Sequence, residues 1–401
     1  MKKRVLFYCQ PVLGIGHYIR SREIVLSLHD FEVCFLNGGE IVPGFELPPS
    51  IEVVNLPALK SDAEFQDLHV IGGLNNLEEV KALRKQLILS VYERFRPDIL
   101  ILELFPFGRR KFDFELIPLL DRARERASTK VVCSLRDILV SKRNQAQYEA
   151  EVCALMNQYF DLLLIHADPE FQPLEETFPR VRDLTCEVRY TGYVVPQTRA
   201  EADERTGGFT STDSGEVFIL VSIGGGRVGH ELLEAAIAAG ARIEKSVPHS
   251  MHLITGPHMP EEQFARFQAQ AAGRPNLTIQ RFTTRFFSYL QRADLSISMA
   301  GYNTCMDLLT AGVRALVYPF TGHHNQEQTI RARKLEQLGI VKMIAPGQLE
   351  PERLAEEIIR CLRSPVAARP RSLDLQGAER TALILAESLS ENLGASQNRE
   401  R

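Results

Sequence analysis

The strongest constraint in this chain is an alternation that occurs twice. Short apolar runs at Val5 to Cys9, Phe31 to Leu36, Ile51 to Leu56, Ile99 to Leu102, Val131 to Ser134 and Leu162 to His166 are separated by stretches with helical spacing. Near-continuous apolar strands are covered on both faces, and a helix between successive strands makes their sheet parallel. A polar run then intervenes from Glu201 to Gly215, EADERTGGFTSTDSG, rich in Gly, Ser and Thr and without hydrophobic periodicity. It reads as a linker. A second series follows with Val217 to Val221, Met251 to Ile254, Leu277 to Ile279, Leu295 to Ser298, Ala315 to Tyr318 and Val341 to Ile344. At 401 residues the chain exceeds what one core usually fills. The expected fold class is α/β, with two Rossmann-like doubly wound domains over 1–200 and 216–372 and a linker over 201–215. A C-terminal helix is expected over 373–393 and a disordered tail over 394–401.

A formal net charge of −4 gives no electrostatic case for nucleic acid, which is normally met by a strongly basic face. The seven cysteines show no CxxC spacing, and several lie inside apolar runs. They read as reduced core thiols of a cytoplasmic protein. The basic start Met1-Lys2-Lys3-Arg4 precedes an apolar run too short for a signal peptide. No stretch reaches the about 18 uninterrupted apolar residues of a membrane span, so membrane contact is expected to be peripheral at most.

In a doubly wound domain, ligands gather where strands end. The first strand leads into Gly14-Ile15-Gly16-His17 ahead of a helical pattern from Tyr18 to Leu28. A dinucleotide fingerprint would want a third Gly where Ile19 sits, which weakens a nicotinamide reading. His17 projects from the start of that helix, as a reactive imidazole or as a surface or capping residue. The strand at Val217 to Val221 leads into Ser222-Ile223-Gly224-Gly225-Gly226-Arg227-Val228-Gly229. Three consecutive glycines leave room for a diphosphate against the following helix, or make a tight turn. A third loop runs from Ser298 through Ala300-Gly301-Tyr302-Asn303-Thr304 to Asp307, with Asn303 or Thr304 as candidate helix cap. There a carboxylate can accept both hydrogen bonds of a ribose diol or favour the helix dipole. The fourth, Pro319 to Gln328, is polar between two apolar elements and meets ligand or solvent.

Together these loops make the chain resemble the nucleotide-sugar glycosyltransferases of family 28, especially a bacterial group of predicted glycosyltransferases. The resemblance implies the GT-B architecture, two Rossmann-like domains facing across a cleft, and a nucleotide-sugar donor, UDP- or dTDP-linked. It implies that Gly16, Ser222, Gly224, Gly225, Gly226 and Arg227 bind the donor, with the loop from Ser222 to Gly229 on its diphosphate. Phe282 and Thr283 would read the base, with Phe286 packed nearby. Ala300, Gly301, Asn303 and Thr304 would also bind the donor, with Asp307 holding the ribose hydroxyls and Glu327 and Gln328 the sugar. Gly226 stands where Ser is common, Asp307 where Glu is commoner, and Met299-Ala300 where Arg-Ser is frequent. On the acceptor side the resemblance implies Gly14, Phe107 and Arg136. His17, Asp137 and Glu103 are the candidate catalytic residues.

Inverting glycosyl transfer needs a base for the acceptor and compensation for charge on the leaving diphosphate. The C-terminal half contains no Asp-x-Asp at a strand end, so the expected enzyme uses neither metal nor cofactor. The acceptor is left open, as is a nucleotide-sugar 2-epimerase or hydrolase, or a catalytically silent donor-binding subunit.

Overall fold

The apolar runs of the first series become strands of one parallel sheet in a computed structural model describing residues 2–12, 15–42, 44–61, 68–71, 76–195, 216–322, 326–345, 347–364 and 373–397. Gly14, the linker read over 201–215, His323 to Asn325 and 398–401 lie outside the described residues. The chain divides into two units, Met1–Val195 with Leu373–Arg401, and Pro196–Ser372.

In the first unit the strands are β1 (Lys3–Cys9), β2 (Phe31–Asn37), β3 (Glu52–Asn55), the antiparallel pair β4 (Leu59–Ser61) and β5 (Leu68–Val70), β6 (Ile99–Glu103), β7 (Lys130–Arg136), β8 (Leu162–His166) and β9 (Glu187–Tyr190). The helices between them are α1 (Gly16–Leu26), α2 (Leu77–Phe95), α3 (Asp113–Arg126) and α4 (Gln145–Tyr159). The main sheet runs β3-β2-β1-β6-β7-β8-β9 and is parallel throughout. The short β4, β5 and β9 are absent from the sequence-predicted strands; in β9, Glu187 and Arg189 break the apolar run at a half-buried sheet edge.

The second unit contains β10 (Val217–Ser222), α5 (His230–Ile243), β11 (His249–Ile254), α6 (Glu261–Ala271), β12 (Leu277–Gln280), α7 (Phe286–Arg292), β13 (Leu295–Met299), α8 (Tyr302–Ala311), β14 (Ala315–Tyr318), α9 (Glu327–Gln337), β15 (Lys342–Met343) and α10 (Pro351–Arg363). Its sheet runs β12-β11-β10-β13-β14-β15, again parallel. Val221, Leu253 and Ile297 on one face pack against Leu232 and Ala236 of α5 and Leu354 and Ile358 of α10. Each fully buried Leu or Ile there is worth ~1.5–3 kcal/mol.

The last helix, α11 (Gly377–Gln397), belongs to the first unit, where Ile384 and Leu385 pack with Val5, Phe7 and Val25. It starts later than the predicted 373 because Tyr193 N–H donates to Asp374 O at 2.7 Å and Val194 bridges Gln376. It also runs through Gln397, which corrects the expectation of disorder from 394; no proline follows Leu393 to stop a helix. All seven cysteines are free. Among the described residues no helix is long and apolar enough to cross a membrane.

In both sheets the strand order reverses beside the first strand, between β1 and β6 and between β10 and β13. Crevices at the carboxyl ends of such strands are where doubly wound sheets bind ligands. The topology therefore points to the loops after Cys9 and Glu103 in one unit, and after Ser222 and Met299 in the other.

Candidate active site

At the first switch point, α1 opens at Gly16 and carries His17 in its first turn. β6 pairs with β1 through Tyr8 and Leu102, which brings its last residue, Glu103, to the same sheet end. His17 Nδ1 lies 2.6 Å from Glu103 Oε1, and Arg20 Nη2 donates to the same oxygen at 2.5 Å. Arg20 stands three residues after His17, on the same helix face, and its Nη2 is 3.4 Å from His17 Nδ1. Arg20 is absent from the candidate residues named above, and the spacing His17-x-x-Arg20 is its signal in the sequence.

Glu103 is fully buried, whereas the His17 side chain keeps 19% of its surface exposed. Burial pulls the His17 pKa below the ordinary imidazole value; Arg109 and Arg20 add to the shift and Glu103 opposes it. For Glu103 burial acts upward, but His17, Arg20 and Arg109 outweigh it and hold the carboxyl below its usual range. At neutral pH the pair is thus a neutral imidazole beside an ionised carboxylate. A carboxylate only accepts, so Nδ1 carries the proton and Nε2 keeps the lone pair. Glu103, expected as a rival base, is instead the partner of His17, because a sealed carboxylate cannot meet an acceptor.

The loop after Glu103 is strained, with Leu104 at φ 67° and Arg109 at φ 61°, a region disfavoured for residues other than Gly. Phe107 does not line an open surface. Its ring packs 5.1 Å from that of Phe178, and its carbonyl accepts from the Tyr148 hydroxyl at 2.8 Å. Arg136 ends β7 and is half-buried. The next residue, Asp137, is fully buried, and its Oδ1 accepts from Ile138 N–H at 2.9 Å.

At the second switch point the glycine loop is folded tightly back. Gly224 has φ 70° and Gly226 φ 88°. A Cβ on Gly226 would meet Thr255 O at 2.5 Å, so a side chain there is excluded by sterics as well as by φ. A Cβ on Gly224 would meet nothing within 4 Å. His258 N–H donates to Gly225 O at 3.0 Å and pins the loop, while Arg227 is exposed. The Ser222, Thr255 and Ser298 hydroxyls are buried and have no hydrogen-bond partner among the described residues. Ser222 and Ser298 are register partners across β10 and β13. Buried hydroxyls are normally paired, so this grouping marks where a polar ligand or water belongs.

The segment after β12 holds Phe282, whose carbonyl accepts from Gln280 Nε2 at 2.9 Å, and Thr283, whose hydroxyl accepts from Arg285 N–H at 3.0 Å. Phe286, half-buried, opens α7. After β13, Ala300 is fully buried and Gly301 caps α8 in an extended conformation, φ −66° and ψ 156°. This corrects the expected cap: Asn303 and Thr304 lie inside the first turn, because Gly301 leaves the strand already extended. Asp307 is 5% exposed on α8, which ends at Gly312 with φ 75°. At the start of α9, Glu327 is buried, and Gln328 Oε1 accepts from Phe320 N–H at 3.0 Å.

Residues 220–383 match the Glycosyltransferase family 28 C-terminal domain. A UDP-N-acetylglucosamine--N-acetylmuramyl-(pentapeptide) pyrophosphoryl-undecaprenol N-acetylglucosamine transferase of Hahella chejuensis is 31% identical over 163 residues, 40% of this chain and 43% of that protein. The chain spans about half the length of the curated relatives it matches. Over whole chains, the structure of Acinetobacter baumannii MurG superposes with a TM-score of 0.54 at 17% identity, covering 96% of this chain and 99% of that one. The UDP-GlcNAc 2-epimerase of Methanocaldococcus jannaschii, solved with UDP-GlcNAc and UDP, superposes with a TM-score of 0.60 at 11% identity, covering 96% and 100%. The fold is GT-B, and the match to family 28 is to its C-terminal domain, over residues 220–383.

Proposed function

We propose that this family 28-like chain of GT-B fold is a glycosyltransferase that moves a sugar from a nucleoside-diphosphate sugar, UDP-linked in the first instance, to an acceptor hydroxyl or amine. The observation that carries this reading is the pinned glycine loop over buried, unpaired hydroxyls at the β10/β13 switch point, inside the family-matching residues. Backbone N–H groups of 224–226 and the N-terminus of α5 suit a diphosphate, whose charge grows as the glycosidic bond to it breaks. Asp307 takes the ribose hydroxyls, and Phe282 and Thr283 the base edge.

In the first unit, His17 is the general base. Its Nε2 takes the acceptor proton as the acceptor atom bonds to the anomeric carbon and the nucleoside diphosphate leaves. Glu103 holds the ring in the required tautomer and stabilises the imidazolium once formed. The transfer inverts the anomeric centre and uses no metal, because the loop amides and helix dipole offset the diphosphate charge.

Calorimetry with UDP tests the donor half of the proposal. Asp307→Ala is expected to cost about 1.5–3 kcal/mol of UDP affinity, the range for hydrogen bonds to a charged group. Unchanged affinity for both UDP and dTDP in that variant would remove Asp307 from the nucleotide site.

A further inference from the structure

Arg331 is fully buried on α9, four residues after Glu327. A guanidinium away from water costs several kcal/mol unless its hydrogen bonds are met, so its partners reveal what it is there to hold. Nη2 donates to Glu327 Oε1 at 2.9 Å, Nη1 donates to Ala300 O at 3.0 Å, and the guanidinium lies 5.7 Å from the Tyr302 ring centroid. One side chain thus joins the first residue of α9, the turn leaving β13 and the first residue of α8. The neighbouring Gln328 is fixed in a complementary way. Its Oε1 accepts from Phe320 N–H, which leaves Nε2 as the group it can offer a ligand. Glu327, paired with a cation, offers only accepting oxygens. A sugar hydroxyl, which donates once and accepts, suits such an acceptor beside a donor.

We propose that Arg331 is a positioning residue for the donor sugar: it orients the Glu327 carboxylate to accept hydrogen bonds from sugar hydroxyls and ties it to the turn at Ala300 and Gly301. This rests on the glycosyltransferase reading above. It predicts that the sugar, and not the nucleotide, senses Arg331. A brace with a purely structural role would affect both alike.

The test is calorimetry on the full chain with UDP, UDP-glucose and UDP-N-acetylglucosamine. The unaltered protein should bind at least one sugar-bearing probe more tightly than UDP. Arg331→Met and Glu327→Gln should each weaken that probe about tenfold while moving UDP by less than about twofold. The double variant should be no worse than Arg331→Met alone, because the pair with Glu327 is already broken there. Arg331→Lys keeps the charge but cannot span both partners, and should give an intermediate loss; it also serves if Arg331→Met does not fold by circular dichroism. Equal losses for UDP and the sugar probe, additive losses in the double variant, or no preference of the unaltered protein for either sugar probe would overturn the proposal. Failure to bind any of the three probes would instead overturn the glycosyltransferase reading itself.

Discussion

His17→Ala is expected to lower kcat by about 10²- to 10⁴-fold while UDP affinity stays within about twofold, the signature of a lost general base. The expectation comes from geometry: the ring is partly exposed, and Nδ1 is committed to Glu103 at 2.6 Å. The same geometry sets the pH profile. Because burial lowers the His17 pKa, with Arg109 and Arg20 adding to it, the imidazole stays neutral below its ordinary range. A base works in its neutral form, so the acid limb of kcat/KM should lie below pH ~6.5, the unperturbed imidazole value. Steady-state rates across pH, on the unaltered protein and the variant, measure both. A variant with full kcat and a raised KM for acceptor would make His17 a binding residue. An acid limb above pH ~6.5 would mean that Glu103 prevails over burial and the two arginines together.

The largest expected loss of stability comes from a cluster with no place in the chemistry. Arg84 and Glu115 are both fully buried and form a two-point ion pair, Nε to Oε2 at 2.8 Å and Nη2 to Oε1 at 2.6 Å. Arg84 also donates to Pro57 O at 2.7 Å, Gly38 O at 3.1 Å and Gln10 Oε1 at 2.7 Å, and Tyr8 OH donates to Glu115 at 2.6 Å. The network clamps the ends of β1, β2 and β3 against α2 and α3. Glu115→Gln leaves the guanidinium charge buried and uncompensated, and should cost about 3–5 kcal/mol. Urea unfolding followed by a probe in the first unit checks this, since the two units need not unfold together. Arg84→Met combined with Glu115→Leu should be less harmful than Glu115→Gln alone, because no orphan charge remains. A cost below about 1 kcal/mol would mean that water or a shifted side chain meets Arg84.

What the sequence made legible was whatever is local. The apolar runs from Val5 and Val217 announced parallel strands, and Gly16-His17 and Gly224 to Gly226 announced loops at strand ends. Partnerships across the sheet were hidden. Glu103 and His17 are 86 positions apart and meet only because β6 crosses to lie beside β1. Without that strand order, Glu103 and Asp137 looked like equivalent bases; with it, one is the partner of His17 and the other is buried against the next residue's amide. Arg84, Glu115 and Arg331 were missed because charged residues in helical patterns ordinarily face solvent. Phe107 stood in a plausible acceptor loop but turned inward onto Phe178, because a large ring gains more from burial than from lining a wet surface. The helix cap fell to Gly301 and not to Asn303, a difference of local backbone path that residue type alone does not show.

Group transfer from a nucleotide sugar is tested by mass spectrometry of products after incubation with a panel of nucleotide sugars and a bacterial extract, with and without EDTA. The expected products are an acceptor heavier by one glycosyl unit and an equal amount of nucleoside diphosphate, in the same yield in EDTA. Loss of product in EDTA that Mg²⁺ or Mn²⁺ restores would contradict the metal-free step alone. Conversion of the donor to an isomeric sugar or to free sugar, with no glycosylated product under any condition, would contradict group transfer itself.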